Sequence, residues 1–265
     1  MDELVKAMPI HRALWRTAEA HVLSRISFCR PILDLGCGDG IFASILFANT
    51  VDVGVDIDFR QISLALSAGA YHTLLVGEAS ELPFPASFFG SVLSNCVIEH
   101  IPEVEKVLDE VHRVLVRDGY FVFTVPSEYF GDSLLYPAWL DRVGLRGLAE
   151  IYRTRANQYL QHYHCDSPVA WQKRLEQAGF TLAAQQYIVP RQISHLWDLL
   201  APIGRVQMYR PSMITRWSYL LVRAILSLLR RPVLAHLKRT DGIGAGLVIV
   251  AQKRQHHGSD VGHAE

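Results

Sequence analysis

The chain has 265 residues, half of them apolar and a fifth charged, which suits one generous domain or a core of about 150 residues with additions. Its 26 Lys and Arg balance its 26 Asp and Glu, which excludes a general electrostatic grip on nucleic acid. Cys29, Cys37, Cys96 and Cys165 are far apart and form no C-x-x-C pair, so neither a zinc site nor a disulfide framework is indicated and a reducing cytosol suits them. The acidic amino terminus lacks the layout of a secretion signal, and no run reaches the ~18 apolar residues of a membrane span. A cytoplasmic, soluble or peripheral protein is expected.

Apolar residues from Ile10 to Ile26 at helical spacing predict an entry helix over residues 10–28, with Pro9 to open it. Trp15 reads as core packing, ahead of Arg12 or Trp15 closing over a ligand. The run Ile32-Leu33-Asp34-Leu35 predicts a buried parallel strand that breaks into Gly36-Cys37-Gly38-Asp39-Gly40, with a helix starting near Asp39 and running through residues 41–46. Glycines at 36 and 38 let the loop bend through unusual dihedrals and let a ligand lie against bare backbone. A dinucleotide loop of the G-x-G-x-x-G kind needs glycine at 41, where this chain has Ile41, so phosphate binding is disfavoured.

Residues 51–58 read as a second strand ending in acids. A right-handed unit lays it beside the first, which brings Asp56 to the same crevice, where its carboxylate can accept from both hydroxyls of a ribose. Asp58 is the expected cap of a helix starting at Phe59 and ending at Gly69. A third strand is predicted over 73–76 and a fourth over 91–95, with Asn95 at its crevice end. After the turn Cys96-Val97-Ile98-Glu99-His100-Ile101-Pro102 comes a helix carrying Val104, Val107, Leu108, Val111, Leu115 and Val116 on one side. A turn at Asp118-Gly119 then leads into a fifth strand over 120–125.

Two stretches interrupt this alternation. Residues 128–165 carry aromatics such as Tyr129, Tyr136 and Trp139 with His162 and His164, and read as a helical lid at the rim, suited to a flat or apolar acceptor. Residues 191–243 hold nine Lys or Arg against two Asp or Glu. Within them, 212–231 reads as one helix closed by Pro232, with Arg216, Arg223 and Arg230 on a narrow cationic stripe beside a wide apolar arc. Such a helix suits an anionic membrane surface, or equally a cap buried on the core or on a second subunit. Between the insertions, Ser167-Pro168 opens a helix to Gly179 and residues 180–189 read as strand six. Residues 246–251 read as strand seven, and 255–265 as a frayed polar tail.

The loop at 34–40, the acid at 56, Gly77-Glu78-Ala79 with Leu82-Pro83-Phe84, and the Glu99-His100 turn come in the order found in class I S-adenosylmethionine-dependent methyltransferases. The chain resembles their type 11 family over residues 30–127 and, loosely, 166–190. The resemblance implies a doubly wound, Rossmann-like α/β fold: a seven-stranded, mostly parallel sheet with an antiparallel last strand and helical lid insertions. It divides the chain into a helical segment (1–29), a cofactor-binding core (30–127), a lid (128–165), a core continuation (166–190), a basic amphipathic helical insertion (191–243), a last strand (244–254) and a tail (255–265). S-adenosylmethionine is the implied methyl donor. Asp34, Gly36, Cys37, Gly38, Gly40, Asp56, Ile57, Glu78, Ala79 and Asn95 are the implied contacts, with the methionine carboxylate facing the helix amino terminus after the loop. Glu78 stands where the family has Asp, one methylene longer, and Arg117-Asp118-Gly119-Tyr120 replaces the family's Lys-Pro-Gly-Gly turn.

A hydroxyl acceptor needs its proton removed, and His100, His162 and His164 are the candidates; against that, His100 reads as packing or capping its helix. The turn resembles that of ubiquinone-pathway O-methyltransferases, whose Glu-His pair is associated with a metal, but Cys96 replaces the first acid of that pattern and no metal is assigned. Methyltransferases of nucleobase amines or protein amides carry Asn/Asp-Pro-Pro-aromatic after strand four, where this chain has Asn95-Cys96-Val97-Ile98. The expectation is therefore O-methylation of a small-molecule or lipid-linked acceptor, with no nucleic-acid partner. C-methylation of a quinone-type ring, a catalytically silent membrane-associated binder of the same fold, and an NAD-dependent dehydrogenase are the rivals.

Overall fold

A computed structural model describes residues 2–209 and 242–254. Two helices, α1 (Asp2–Ala7) and α2 (Ile10–Leu23), lead into β1 (Ile32–Leu35), the glycine loop and α3 (Ile41–Leu46). The chain then alternates through β2 (Val51–Asp56), α4 (Phe59–Ala68), β3 (Tyr71–Val76), β4 (Phe89–Asn95), a 3-10 turn (Ile98–His100), α5 (Val104–Val114) and β5 (Leu115–Pro126). The lid contributes α6 (Leu135–Arg142) and α7 (Arg146–Leu160); α8 (Pro168–Gln177), β6 (Phe180–Pro190), α9 (Arg191–Tyr209) and β7 (Gly244–Lys253) complete the order.

The seven strands form one sheet in the order β3-β2-β1-β4-β5-β7-β6. β1 pairs in parallel with both β2 and β4, and β7 runs antiparallel between β5 and β6. Strand order therefore reverses at β1 and β4, and a doubly wound sheet opens its crevice beyond the carboxyl ends of such a pair. Side chains alternate across the sheet. Phe121, Phe123 and Val125 of β5 join Val104, Val107, Val111, Trp171 and Leu175 on one face, while Val122 joins Leu14, Trp15, Phe130 and Ile193 on the other. Helices thus cover both faces, as a mostly parallel sheet requires.

Local chemistry sets several boundaries. The Asp58 carboxylate accepts from the Arg60 N–H at the start of α4, and Gly69 closes that helix in the left-handed region at φ +63°. Ser167 caps α8, with Pro168 at its first position. Several boundaries differ from the sequence reading. Leu115 and Val116 continue the apolar spacing of α5, yet they belong to β5, because Leu115 pairs with Phe89 and a bulge carrying Asp118 at φ +61° absorbs the extra residues before Tyr120. The entry helix stops at Leu23, short of the expected 28. The insertion at 191–243 begins with α9, packed against α2; the helix expected over 212–231 and the tail at 255–265 lie outside the described residues. No helix among the described residues is long and apolar enough to cross a membrane.

Candidate active site

The crevice beyond β1, β2 and β4 is a cavity of 630 Å³, within the range of small-molecule sites. Its floor is the glycine loop. Gly36 sits at φ +77°, and a Cβ there would come within 2.3 Å of the Val97 side chain, so both the backbone and its neighbour demand glycine. Gly38, at φ +56°, has open space where a Cβ would stand and donates its N–H to Asp56 Oδ2 at 2.8 Å. Asp56 Oδ1 accepts from the Asp58 N–H at 2.9 Å. The Asp56 carboxylate thus ties the loop to the end of β2 and keeps lone pairs for further donors.

Asp34 is buried and accepts the Tyr71 hydroxyl at 2.6 Å. Burial pushes its pKa up to about 6 against the downward pull of that bond. Burial and the Asp34 and Asp56 carboxylates raise the Cys37 thiol far above its ordinary value, so it faces the cavity as a neutral group. Glu78 lies on the adjoining wall, where Ser80 donates to its Oε1 at 2.9 Å, with Ala79 beside it. Ile57, 72 % exposed, offers an apolar surface at the rim. Four carboxylates, of Asp34, Asp39, Asp56 and Glu78, and two guanidiniums, of Arg12 and Arg16, line this space. That donor set suits a ribose, an ammonium and a sulfonium better than a pyrophosphate.

A second chamber of 260 Å³ adjoins the first and shares Arg12, Arg16, Cys96 and His100 with it. Behind it lies a buried network. Arg16 Nη1 donates to Glu19 Oε2 at 2.9 Å and to the Asn95 side-chain oxygen, and Glu19 Oε1 accepts from Trp15 Nε1 and Thr124 Oγ1, both at 3.1 Å. Burial alone would lower the Arg16 pKa, but Glu19 beside it raises the value overall. Asn95 therefore reaches the crevice with its side chain already engaged.

His100 stands on the partition between the two spaces. Its Nδ1 lies 3.2 Å from the Gln161 carbonyl at the end of α7. A carbonyl only accepts, so Nδ1 carries the proton and Nε2 holds the lone pair. Burial lowers the His100 pKa, which keeps the ring neutral. Glu99 Oε1 is 3.7 Å from His100 Nε2. Glu99 is 1 % exposed, its Oε2 has no hydrogen-bond partner among the described residues, and burial raises its pKa to about 8. His162 lines the second chamber with its ring 5.6 Å from that of His100, and burial together with His100 lowers its pKa to about 4.

Of the residues expected from sequence, Asp34, Gly36, Cys37, Gly38, Asp56, Ile57, Glu78, Ala79, Asn95 and His100 line the crevice together. Gly40 does not: at φ +73° it precedes α3, and a Cβ there would crowd Ala65, Ala68 and Tyr71. His164 also lies apart. It is buried against Trp171, with Nε2 3.0 Å from the Ile101 carbonyl, and lines neither the crevice nor the second chamber. Trp15 is core packing that shows one edge to the second chamber. Arg16 and Glu19 were missed by the sequence reading. Their signal was present: Arg12, Arg16 and Glu19 fall at i, i+4 and i+7 and so share one face of α2.

Residues 33–123 match the family model described as a methyltransferase domain. Among curated proteins, the chain is 32 % identical over 121 residues to Probable methyltransferase PMT8 of Arabidopsis thaliana, covering 44 % of this chain and 19 % of that protein. It is 31 % identical over 101 residues to the malonyl-[acyl-carrier protein] O-methyltransferase of Legionella pneumophila, covering 36 % of each. The chain therefore spans about a fifth of the length of the first relative and about a third of the second. Among solved structures, it shares its fold with a SAM-dependent methyltransferase of Thermotoga maritima, described as a possible histamine N-methyltransferase, at a TM-score of 0.57 and 16 % identity over 92 % of this chain and 91 % of that one. Residues 33–123, which carry the glycine loop and most of the carboxylate-lined crevice, are thus similar to the methyltransferase domain of S-adenosylmethionine-dependent enzymes.

Proposed function

We propose that the chain transfers a methyl group from S-adenosylmethionine to oxygen of a small-molecule or lipid-like acceptor. The observation that carries this reading is the partition: a cavity of cofactor size opens into a second chamber, and a neutral histidine with a free ring nitrogen stands where the two meet. The cofactor supplies an electrophilic methyl group on a sulfonium. Asp34, Gly36, Gly38 and Asp56, with Ile57, Glu78, Ala79 and Asn95 around them, would hold it, and the carboxylates offset its positive charge. The protein's larger task is to align acceptor and methyl group, and enclosure by the lid serves that alignment.

His100 Nε2 takes the acceptor's hydroxyl proton as the oxygen–carbon bond forms. Gln161 holds the tautomer that leaves this nitrogen free. Once the ring is protonated, Glu99 beside it is drawn toward its ionised form and supplies a counter-charge. Calorimetric titration with S-adenosylhomocysteine is expected to show one site per chain, and a screen of cell extract with methyl-labelled cofactor is expected to reveal an O-methylated acceptor. His100→Asn should lower turnover by about 100-fold, within the span of general-base effects, while leaving S-adenosylhomocysteine affinity nearly unchanged. Full turnover in that variant, or no binding of S-adenosylhomocysteine to the parent chain, would refute the reading.

A further inference from the structure

A third cavity, of 280 Å³, lies between α2, α7 and α9. Among the described residues, Arg12 alone lines all three cavities. Its neighbour one turn along α2, Arg16, is committed to Glu19 and Asn95. Arg12 has no such commitment: among the described residues no carboxylate reaches ion-pair distance and no acceptor reaches hydrogen-bond distance, and Asp39 and Glu19 act on it only from further away. Burial, and then the Arg16 charge, lower its pKa. The Arg12 side chain is exposed where the three cavities meet, so it is a hydrated cation with no protein partner among the described residues, ready to meet an anion.

The space beyond Arg12 has a different character. Its walls include Tyr152, Ala156, Tyr159, Leu160, Trp197 and Ala201. The carboxylate there, of Asp198, is 2 % exposed and already accepts the Tyr152 hydroxyl at 2.6 Å and the Tyr136 N–H at 3.1 Å. An apolar, aromatic compartment thus follows directly on an uncommitted guanidinium, which in turn borders the chamber of His100.

We propose that the methyl acceptor is an anionic amphiphile, with a carboxylate or phosphate held by Arg12 and an apolar body lying between α2, α7 and α9. This inference rests on the methyl-transfer reading for its purpose and adds the chemical class of the acceptor. The competing use of Arg12 is to hold the carboxylate of the cofactor itself, and one experiment separates the two.

The full chain, with and without saturating S-adenosylhomocysteine, is titrated with dodecanoate, dodecyl phosphate and the uncharged dodecanol, and binding is read from the fluorescence of Trp15 and Trp197, which border these cavities. At least one anion should bind about tenfold tighter than the alcohol, the ratio that a single charge-assisted contact supplies. Arg12→Gln should erase that preference and leave S-adenosylhomocysteine affinity within about twofold, and Arg12→Lys should restore part of it. Ala156→Trp, which fills the far compartment, should weaken all three probes together about tenfold without touching the cofactor product. Equal affinity of anion and alcohol in the parent chain, or a preference that survives Arg12→Gln, overturns the proposal; a loss of S-adenosylhomocysteine binding in that variant with the preference intact assigns Arg12 to the cofactor. If the parent chain shows the Arg12-dependent preference but does not bind S-adenosylhomocysteine, the anion site stands and the methyl-transfer reading falls.

Discussion

The two ends of the partition at His100 are built on opposite plans. In the crevice, polar groups are largely satisfied by the protein itself: Asp34 by Tyr71, Asp56 by two backbone N–H groups, Glu78 by Ser80. In the inner chamber two are not: among the described residues, Arg12 has no anion at contact distance and Glu99 Oε2 has no hydrogen-bond partner. A socket for an invariable ligand can be finished in advance. On the proposed function, the second chamber would bind an acceptor and accept its proton, and it keeps groups whose partner or charge would arrive with that substrate.

The contrast can be broken where the two regions share a foundation. Glu19→Ala removes the carboxylate beneath Arg16 and leaves a buried guanidinium without its ion pair; a loss of about 3–5 kcal/mol is expected from urea unfolding. Gly36→Ala strains a left-handed backbone and drives a methyl group into Val97, and should cost roughly 2–4 kcal/mol and abolish calorimetric binding of S-adenosylhomocysteine. If the variant bound S-adenosylhomocysteine normally, the loop would not be the cofactor's floor.

Titration sharpens the comparison. Glu99 keeps its proton to about pH 8 in the folded chain against an ordinary 4.5, so its contribution to stability is full below 4.5 and drains away as pH rises to 8. His162, depressed from 6.5 to about 4, contributes fully above 6.5 and loses that contribution as pH falls through 4. Between pH 6 and 9 the parent chain should therefore lose about 1–3 kcal/mol more stability than Glu99→Gln, measured by urea unfolding at each pH. Parallel curves would show that Glu99 titrates normally. The smallest effect belongs to the finished side: Asp58→Ala removes the cap of α4 and should cost about 1 kcal/mol while leaving the inner chamber unaffected.

The parts of this molecule legible in the sequence are those governed by short-range rules. The glycine loop, the acids at strand ends and the caps at Asp58 and Ser167 each announce themselves within a few residues, and the strands between them follow from apolar runs. The start of β5 was not legible, because Leu115 and Val116 satisfy the period of the preceding helix and the pairing with Phe89 that claims Leu115 is a distant contact. The inner chamber was legible only in its ingredients. His100 and His162 were candidates from chemistry alone, but nothing local distinguishes them from His164, which the fold turns toward the Ile101 carbonyl instead. The charged face of α2 was visible as a spacing, yet its meaning depends on Asn95 and Thr124, some 79 and 105 residues away from their partners on that helix.

One contact ties these observations to selectivity. Gln161 ends α7 in the left-handed region at φ +54°, and from there its carbonyl fixes the His100 ring while the Tyr163 N–H meets the Glu99 carbonyl at 2.8 Å. The proposed base is thus aimed by a stretch of chain that also roofs the chamber. A molecule too bulky to let that roof settle would lodge beside an imidazole free to turn its lone pair away, and would depart unchanged. Size exclusion and base orientation are in this way one and the same fit.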